Sequence, residues 1–163
     1  MNQELFYYVT ANEDERIALV EFAVVSNERF NSCSVSPDYV REVLNITPEQ
    51  FKAGYVVKLM HPDSKDILGF YSLRSNPQDY ANKKIELQLL YIHPDHTREG
   101  LGDRLLKKVI EHVKNLEIQI IHGYSMPESK EFYAKYGAFV TSTEKNLFNP
   151  DGPEVALMSL NIQ

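Results

Sequence analysis

Leu89-Leu90-Tyr91-Ile92-His93-Pro94-Asp95-His96-Thr97-Arg98-Glu99-Gly100-Leu101-Gly102 carries the decisive change of pattern. An apolar strand runs into a proline turn, then a glycine-bearing loop, then a helix. Upstream, Ile85, Leu87, Leu89 and Tyr91 alternate with Glu86 and Gln88, the period-two signature of a strand with one apolar face. The alternation blurs at Leu89-Leu90, which predicts a bulge or a fully buried strand end. Downstream, Leu101, Leu105, Leu106, Val109, Ile110 and Val113 share one helical face, and Arg104, Lys107, Lys108, Glu111 and Lys114 fill the other. Gly100 and Gly102 are two of only seven glycines, and both stand at the helix start. Without side chains they let another group approach the backbone. Free N–H groups and the helix dipole make such a place attractive to an anion such as a pyrophosphate. Arg98 adds positive charge there. No Gly-Lys-Ser/Thr follows, so the loop is not a P-loop, and the third glycine of a dinucleotide fingerprint is absent. On its own the loop is equally compatible with a plain strand-to-helix turn.

Working outward, Leu5 to Val9 reads as a strand. Asn12, followed by Glu13, Asp14 and Glu15, reads as a capped and acid-rich helix start, with apolar residues at helical spacing from Ile17 to about Asn31. Ser36-Pro37 opens a short helix through Leu44, and Thr47-Pro48-Glu49 opens one or two further turns. Tyr55 to Met60 and Ile67 to Arg74 are strands joined by the turn His61 to Asp66. Ile118 to His122 is a strand, Pro127 to Tyr136 a short helix stopped by Gly137, and Phe139 to Thr143 and Glu154 to Ile162 are closing strands. This mixture predicts an α+β domain with a mixed sheet. No linker or repeat divides residues 1–163, which predicts one domain.

Composition narrows the function. The 163 residues contain 17 Lys or Arg against 23 Asp or Glu, a net charge of −6. That balance argues against nucleic acid as a partner. No apolar run is long enough to cross a membrane, and no signal peptide is visible at Met1 to Tyr8. The single cysteine, Cys33, excludes an internal disulfide and a multi-cysteine metal cluster. A cytoplasmic protein is expected. His61, His93, His96, His112 and His122 show no metal-ligand spacing and read as turn or surface residues, so no metal is expected.

The segment Thr97 to Gly102, preceded by Leu90-Tyr91-Ile92-His93-Pro94, resembles the central Arg/Gln-x-x-Gly-x-Gly/Ala motif of the GNAT N-acetyltransferase family. A second segment, Ser129-Lys130-Glu131-Phe132-Tyr133-Ala134-Lys135-Tyr136-Gly137-Ala138-Phe139, resembles the family's Phe-Tyr-x-x-x-Gly-x-Phe segment. The spacing between them, one helix plus one strand, also fits, and the two together span about Lys84 to Thr143. Two positions depart from the pattern. Thr97 stands where the family has Arg or Gln, and Met126 where it often has Asn.

The resemblance implies a three-layer fold. A mostly antiparallel sheet of about six or seven strands would be flanked by about four helices, with a splayed central strand pair. It also implies transfer of an acetyl group from acetyl-CoA, the co-substrate, to an amine by direct attack through a tetrahedral intermediate. Cofactor binding is then expected at Thr97, Arg98, Glu99, Gly100, Leu101, Gly102 and Asp103, and at Met126. The oxyanion donors would be backbone N–H groups of Leu90, Tyr91 and Ile92. A lysine-like amine with pKa about 10.4 is mostly charged at neutral pH, so a base is needed. Glu86, on the polar face of the strand, is the candidate base, and Tyr133 is the candidate acid for the departing thiolate. The net charge favours a cationic acceptor such as a polyamine, an aminoglycoside or a protein amino group. The loop from about Phe30 to Ser36 is where the family often shapes its acceptor pocket, and a homodimer through the last strands is compatible with the resemblance. A second reading, a non-catalytic acyl-CoA-binding or regulatory module on the same fold, stays open at Thr97 and Met126.

Overall fold

The computed structural model describes residues 6–28, 36–97 and 99–162. Arg98, Cys33 and most of the loop Phe30 to Ser36 therefore lie outside the described residues. The strands are β1 (Tyr7–Thr10), β2 (Val56–Met60), β3 (Ile67–Arg74), β4 (Lys84–Ile92), β5 (Ile120–Ser125), β6 (Phe139–Glu144) and β7 (Val155–Asn161). The helices are α1 (Arg16–Glu28), α2 (Pro37–Val43), α3 (Pro48–Lys52), α4 (Pro77–Ala81), α5 (Leu101–Asn115) and α6 (Lys130–Ala134). One sheet of seven strands has the order β1-β2-β3-β4-β5-β7-β6. Every seam is antiparallel except β4–β5.

Local chemistry sets the helix starts. Ser36, Thr47 and Asn76 each accept a backbone N–H from three residues on, and each is followed by proline at the first helical position. The third of these opens α4, a helix the sequence reading passes over although Asn76-Pro77 carries the same signal as Ser36-Pro37. Glu15 closes the start before α1 by accepting the Asn12 N–H at 3.0 Å.

Two apolar clusters clothe the sheet. On one side, α5 buries Leu101, Leu105, Leu106, Val109 and Val113 against Leu59, Leu73, Ile85, Leu87 and Ile92. On the other, α1, α2 and α3 bury Leu19, Ala23, Val40 and Phe51 against Phe70, Leu89 and Tyr91. Each fully buried large side chain contributes roughly 1.5–3 kcal/mol, so both layers are strongly held.

β4 serves both clusters because it carries a bulge. Ser72 pairs with Leu89 and Leu73 with Leu87, so Gln88 is an extra residue. The extra residue reverses the alternation. Ile85 and Leu87 face α5, whereas Leu89 and Tyr91 face α1. The Gln88 side chain fixes the irregularity. Its Oε1 accepts from Gln50 at 2.7 Å and Ser72 at 3.0 Å, and its Nε2 donates to the Asn45 carbonyl at 2.7 Å. The expected bulge is therefore present, one residue before the place where the alternation blurs in the sequence.

Candidate active site

The site begins with a fork in the sheet. β4 and β5 pair only at Lys84–Ile120, Ile85–Ile121 and Glu86–His122. Beyond that rung β4 continues along β3 to Ile92, and β5 continues along β7 to Ser125. At the branch point a Cβ on Gly123 would lie 2.5 Å from the Leu87 carbonyl oxygen, so the two backbones touch there and only glycine fits. His93 donates its N–H to the Leu68 carbonyl on the β3 side. Alternation along an antiparallel strand then turns the Leu90 and Ile92 N–H groups into the fork and the Tyr91 N–H toward β3. Of the three expected backbone donors, two have the right direction. Tyr91 instead contributes its ring to the α1 layer, where its hydroxyl accepts from Asn27 at 2.9 Å.

The loop below the fork leads into α5. Pro94 to His96 form one tight turn, with Thr97 extended behind it. The Glu99 carboxylate lies 2.7 Å from the His96 ring, so its side chain has a local partner. Gly100 sits at φ 76°, a left-handed conformation, with open space around its Cα. It thereby swings the chain into a 15-residue helix whose first N–H groups have no acceptor of their own. Leu101 points into the core, so only its backbone is available. The ring of Phe132 would meet a Cβ on Gly102 at 3.4 Å. Asp103 accepts from the Tyr136 hydroxyl and, at 3.0 Å, pairs with Lys135. These contacts hold the Asp103 carboxyl below its ordinary range. Desolvation, aided by that carboxylate, pushes Tyr136 up to about 12. The loop is thus fastened to α6. Beside Gly100 a cleft of about 570 Å³ exposes Arg104, Lys107 and Lys108. Unpartnered N–H groups, an open left-handed glycine and three basic residues together suit the phosphates of a cofactor.

Glu86 stands on the last paired rung and lines a cleft of about 510 Å³ on the α3 side of the sheet. Met126 lines the same cleft. The Glu86 Oε2 accepts from Arg74 Nη2 at 2.7 Å. Its Oε1 has no partner among the described residues. Tyr133 lies on the other side, packed against the α5 core and lining a small cavity under the fork with Leu87, Gly123 and Ser125. Burial, and secondarily the phenol of Tyr91, raise the Tyr133 hydroxyl above the ordinary phenol value. Glu86 and Tyr133 therefore approach a common point only through the fork between β4 and β5.

Several neighbours escaped the sequence reading. Arg74 sits across the β3–β4 ladder from Glu86. Two histidines are neither in turns nor simply on the surface. His122 lies in β5, with Nε2 2.8 Å from Asp79 of α4, and His112 lies on the inner side of α5, 2.7 Å from the Tyr71 hydroxyl. The strand runs Ile120–Ser125 rather than Ile118–His122, and its later end carries Gly123 and Tyr124. No group of three or more potential metal ligands converges among the described residues. No described helix is long and apolar enough to cross a membrane.

The family model of the acetyltransferase (GNAT) domain matches residues 19–161, and the chain belongs to that family. Solved structures share its fold. PaiA N-acetyltransferase of Thermoplasma acidophilum, in complex with coenzyme A, superposes with a TM-score of 0.70 at 19% identity, over 96% of this chain and 98% of that one. YncA of Salmonella typhimurium, with its cofactor acetyl-CoA, gives 0.68 at 17% identity over 97% and 94%. The ribosomal-protein-S18-alanine N-acetyltransferase of Escherichia coli gives 0.66 at 17% identity over 96% and 94%. A search of curated proteins finds no match to the chain.

Proposed function

We propose that this chain transfers an acetyl group from acetyl-CoA to a primary amine. The observation that carries the reading is the fork, with Glu86 at its closed end and the Leu90 and Ile92 N–H groups turned into its open end. Backbone N–H groups of Gly100 to Asp103, with Arg104 and Lys107 beside them, would hold the cofactor's phosphates. Thr97 belongs to the same loop, and Arg98, outside the described residues, follows it in sequence. Acetyl-CoA supplies an activated thioester, from which the acceptor nitrogen takes the acetyl group as a C–N bond forms and the C–S bond breaks.

The chain's own groups serve three needs. The Leu90 and Ile92 N–H groups are fixed donors for an oxygen that gains charge, and a donor of this kind is worth roughly 2.7–4 kcal/mol of barrier. Glu86 Oε1 takes the proton that the amine loses, directly or through one water. The Tyr133 phenol, kept protonated by burial, gives its proton to the departing sulfur.

A thermal-shift titration with acetyl-CoA and CoA tests the binding half. A ligand at about 100 times its Kd stabilises by roughly 2.7 kcal/mol. Release of CoA on adding primary amines tests the transfer half. Binding without CoA release over a broad amine panel would support the non-catalytic acyl-CoA-binding module instead.

A further inference from the structure

The cleft that holds Glu86 has a charge pattern unlike that of the whole chain. Its lining carries two carboxylates, Glu86 and Glu144, and two cations, Arg74 and Lys145. Glu86 is engaged by Arg74, and the Tyr124 phenol is raised above its ordinary value by burial and, next, by the nearby Glu144. The cations keep spare capacity. Arg74 spends only Nη2, its side chain is 49% exposed, and its Nε and Nη1 have no partner among the described residues. Lys145 has no ion-pair partner there either. A bound molecule therefore meets unspent positive donors at the rim and, directly beside Arg74, the unspent oxygen Glu86 Oε1.

From this we infer that the acceptor is an α-amino acid with an apolar side chain, its carboxylate on Arg74 and its amine on Glu86. The inference rests on the acetyl-transfer reading above and names the substrate class of that same site. Arg74 and Glu86 stand side by side, joined by one hydrogen bond of 2.7 Å. An α-amino acid presents its nitrogen and its carboxylate oxygens side by side too, roughly 3 Å apart by standard bond geometry. A guanidinium fork matches a planar carboxylate, and a lone ammonium offers it nothing. Met126, Leu147 and Phe148 supply apolar wall for the side chain. A polyamine, which the net charge of −6 favours, would set a second cation against Arg74. The local pattern therefore points away from the acceptor that the overall charge suggests.

The test uses matched acceptors with acetyl-CoA: L-leucine, L-leucinamide and isoamylamine, and the corresponding phenylalanine set. Release of CoA gives kcat/KM for each. The free acids are expected to exceed their amides and decarboxylated amines by about ten- to a hundredfold, the range of a charge-assisted pair. Arg74→Gln should raise KM for the acids and bring them down to the amides, while Arg74→Lys keeps part of the preference. Amides or simple amines used as well as the acids would overturn the inference, as would an Arg74→Gln loss equal for all three. Acetyl-CoA binding with transfer to no member of either set also overturns the inference, and the acetyl-transfer reading itself falls when the broad amine panel releases no CoA either.

Discussion

The two halves of β4 differ more from each other than β4 differs from most other strands of the sheet. From Lys84 to Glu86 the strand is paired with β5, and at Glu86 it is paired with β3 as well. From Leu87 to Ile92 it keeps β3 and loses β5, and its free edge faces the fork. The first half has its β5 edge paired throughout, as ordinary sheet rules require of a buried strand. The second half turns the Leu90 and Ile92 N–H groups toward no paired strand among the described residues, and such donors are retained where something else is to use them. A single glycine, Gly123, stands between the two regimes.

Three experiments probe that division, and a fourth probes the helix behind it. The largest effect is expected for Glu86→Gln, at the boundary. The amide keeps the shape and can still accept from Arg74, but it cannot take a proton. We expect kcat to fall by about 10²- to 10⁴-fold with acetyl-CoA affinity unchanged, read from CoA release and thermal shift. A rate unchanged across pH would remove Glu86 from the mechanism.

Gly123→Ala comes next. Its Cβ would lie 2.5 Å from the Leu87 carbonyl oxygen, which is backbone and cannot turn aside. A loss of about 1–3 kcal/mol in urea unfolding is expected, the range for forced overpacking, together with weaker acetyl-CoA binding. Wild-type stability and binding would show that the branch point tolerates a wider gap.

Tyr133→Phe keeps the packing under the open half and removes only the donor. Thiols are acidic leaving groups, with pKa about 8.5, so the expected loss in kcat is modest, about tenfold. Turnover equal to wild type would leave Tyr133 a packing role alone.

The smallest effect lies away from the fork. His112 is held below its ordinary value of 6.5 mainly by burial, and further by Lys108, with Glu111 opposing. Tyr71, whose phenol burial keeps protonated, lies 2.7 Å from its Nδ1. The unfolded chain binds the proton first on acidification. Stability contributed by neutral His112 is thus fully present above about pH 6.5 and is lost as pH falls toward the folded-state value. His112→Gln should flatten the slope of thermal stability in that window. An identical slope would assign the acid sensitivity to other groups.

The same division explains what could be read from the chain. The switch from period two to period 3.6 between Ile85 and Val113, with Pro94 and Gly100 between, is local, and it predicted β4, the loop and α5 correctly. The fork is not local. It exists because Ile120 to His122 pair in parallel with residues 36 positions earlier and then part. Gly123 looks like any strand glycine until the Leu87 carbonyl is placed against it. Arg74 lies 12 residues from Glu86, across a ladder whose register the bulge shifts, so no spacing rule joins them. His122 and Asp79 meet only because α4 forms, and α4 was legible at Asn76-Pro77. Tyr133 illustrates a partial reading. Its motif placed it near the site, but its position on the opposite side of the sheet from Glu86 follows from packing against α5.

The bulge at Gln88 gives β4 a phase as well as a position. A strand normally assigns each residue a side by parity alone, and here the parity is reset once, midway. Pressing Gln88 into the ladder as an ordinary paired residue would not lengthen the pairing so much as transpose everything after it. Leu89 and Tyr91 would exchange layers with Leu90 and Ile92, and the Gly100 loop would be delivered half a pleat out of step with the helix it opens. Gln88, clasped by Gln50, Ser72 and Asn45, acts as the punctuation mark that keeps the second clause of the strand in register with the first.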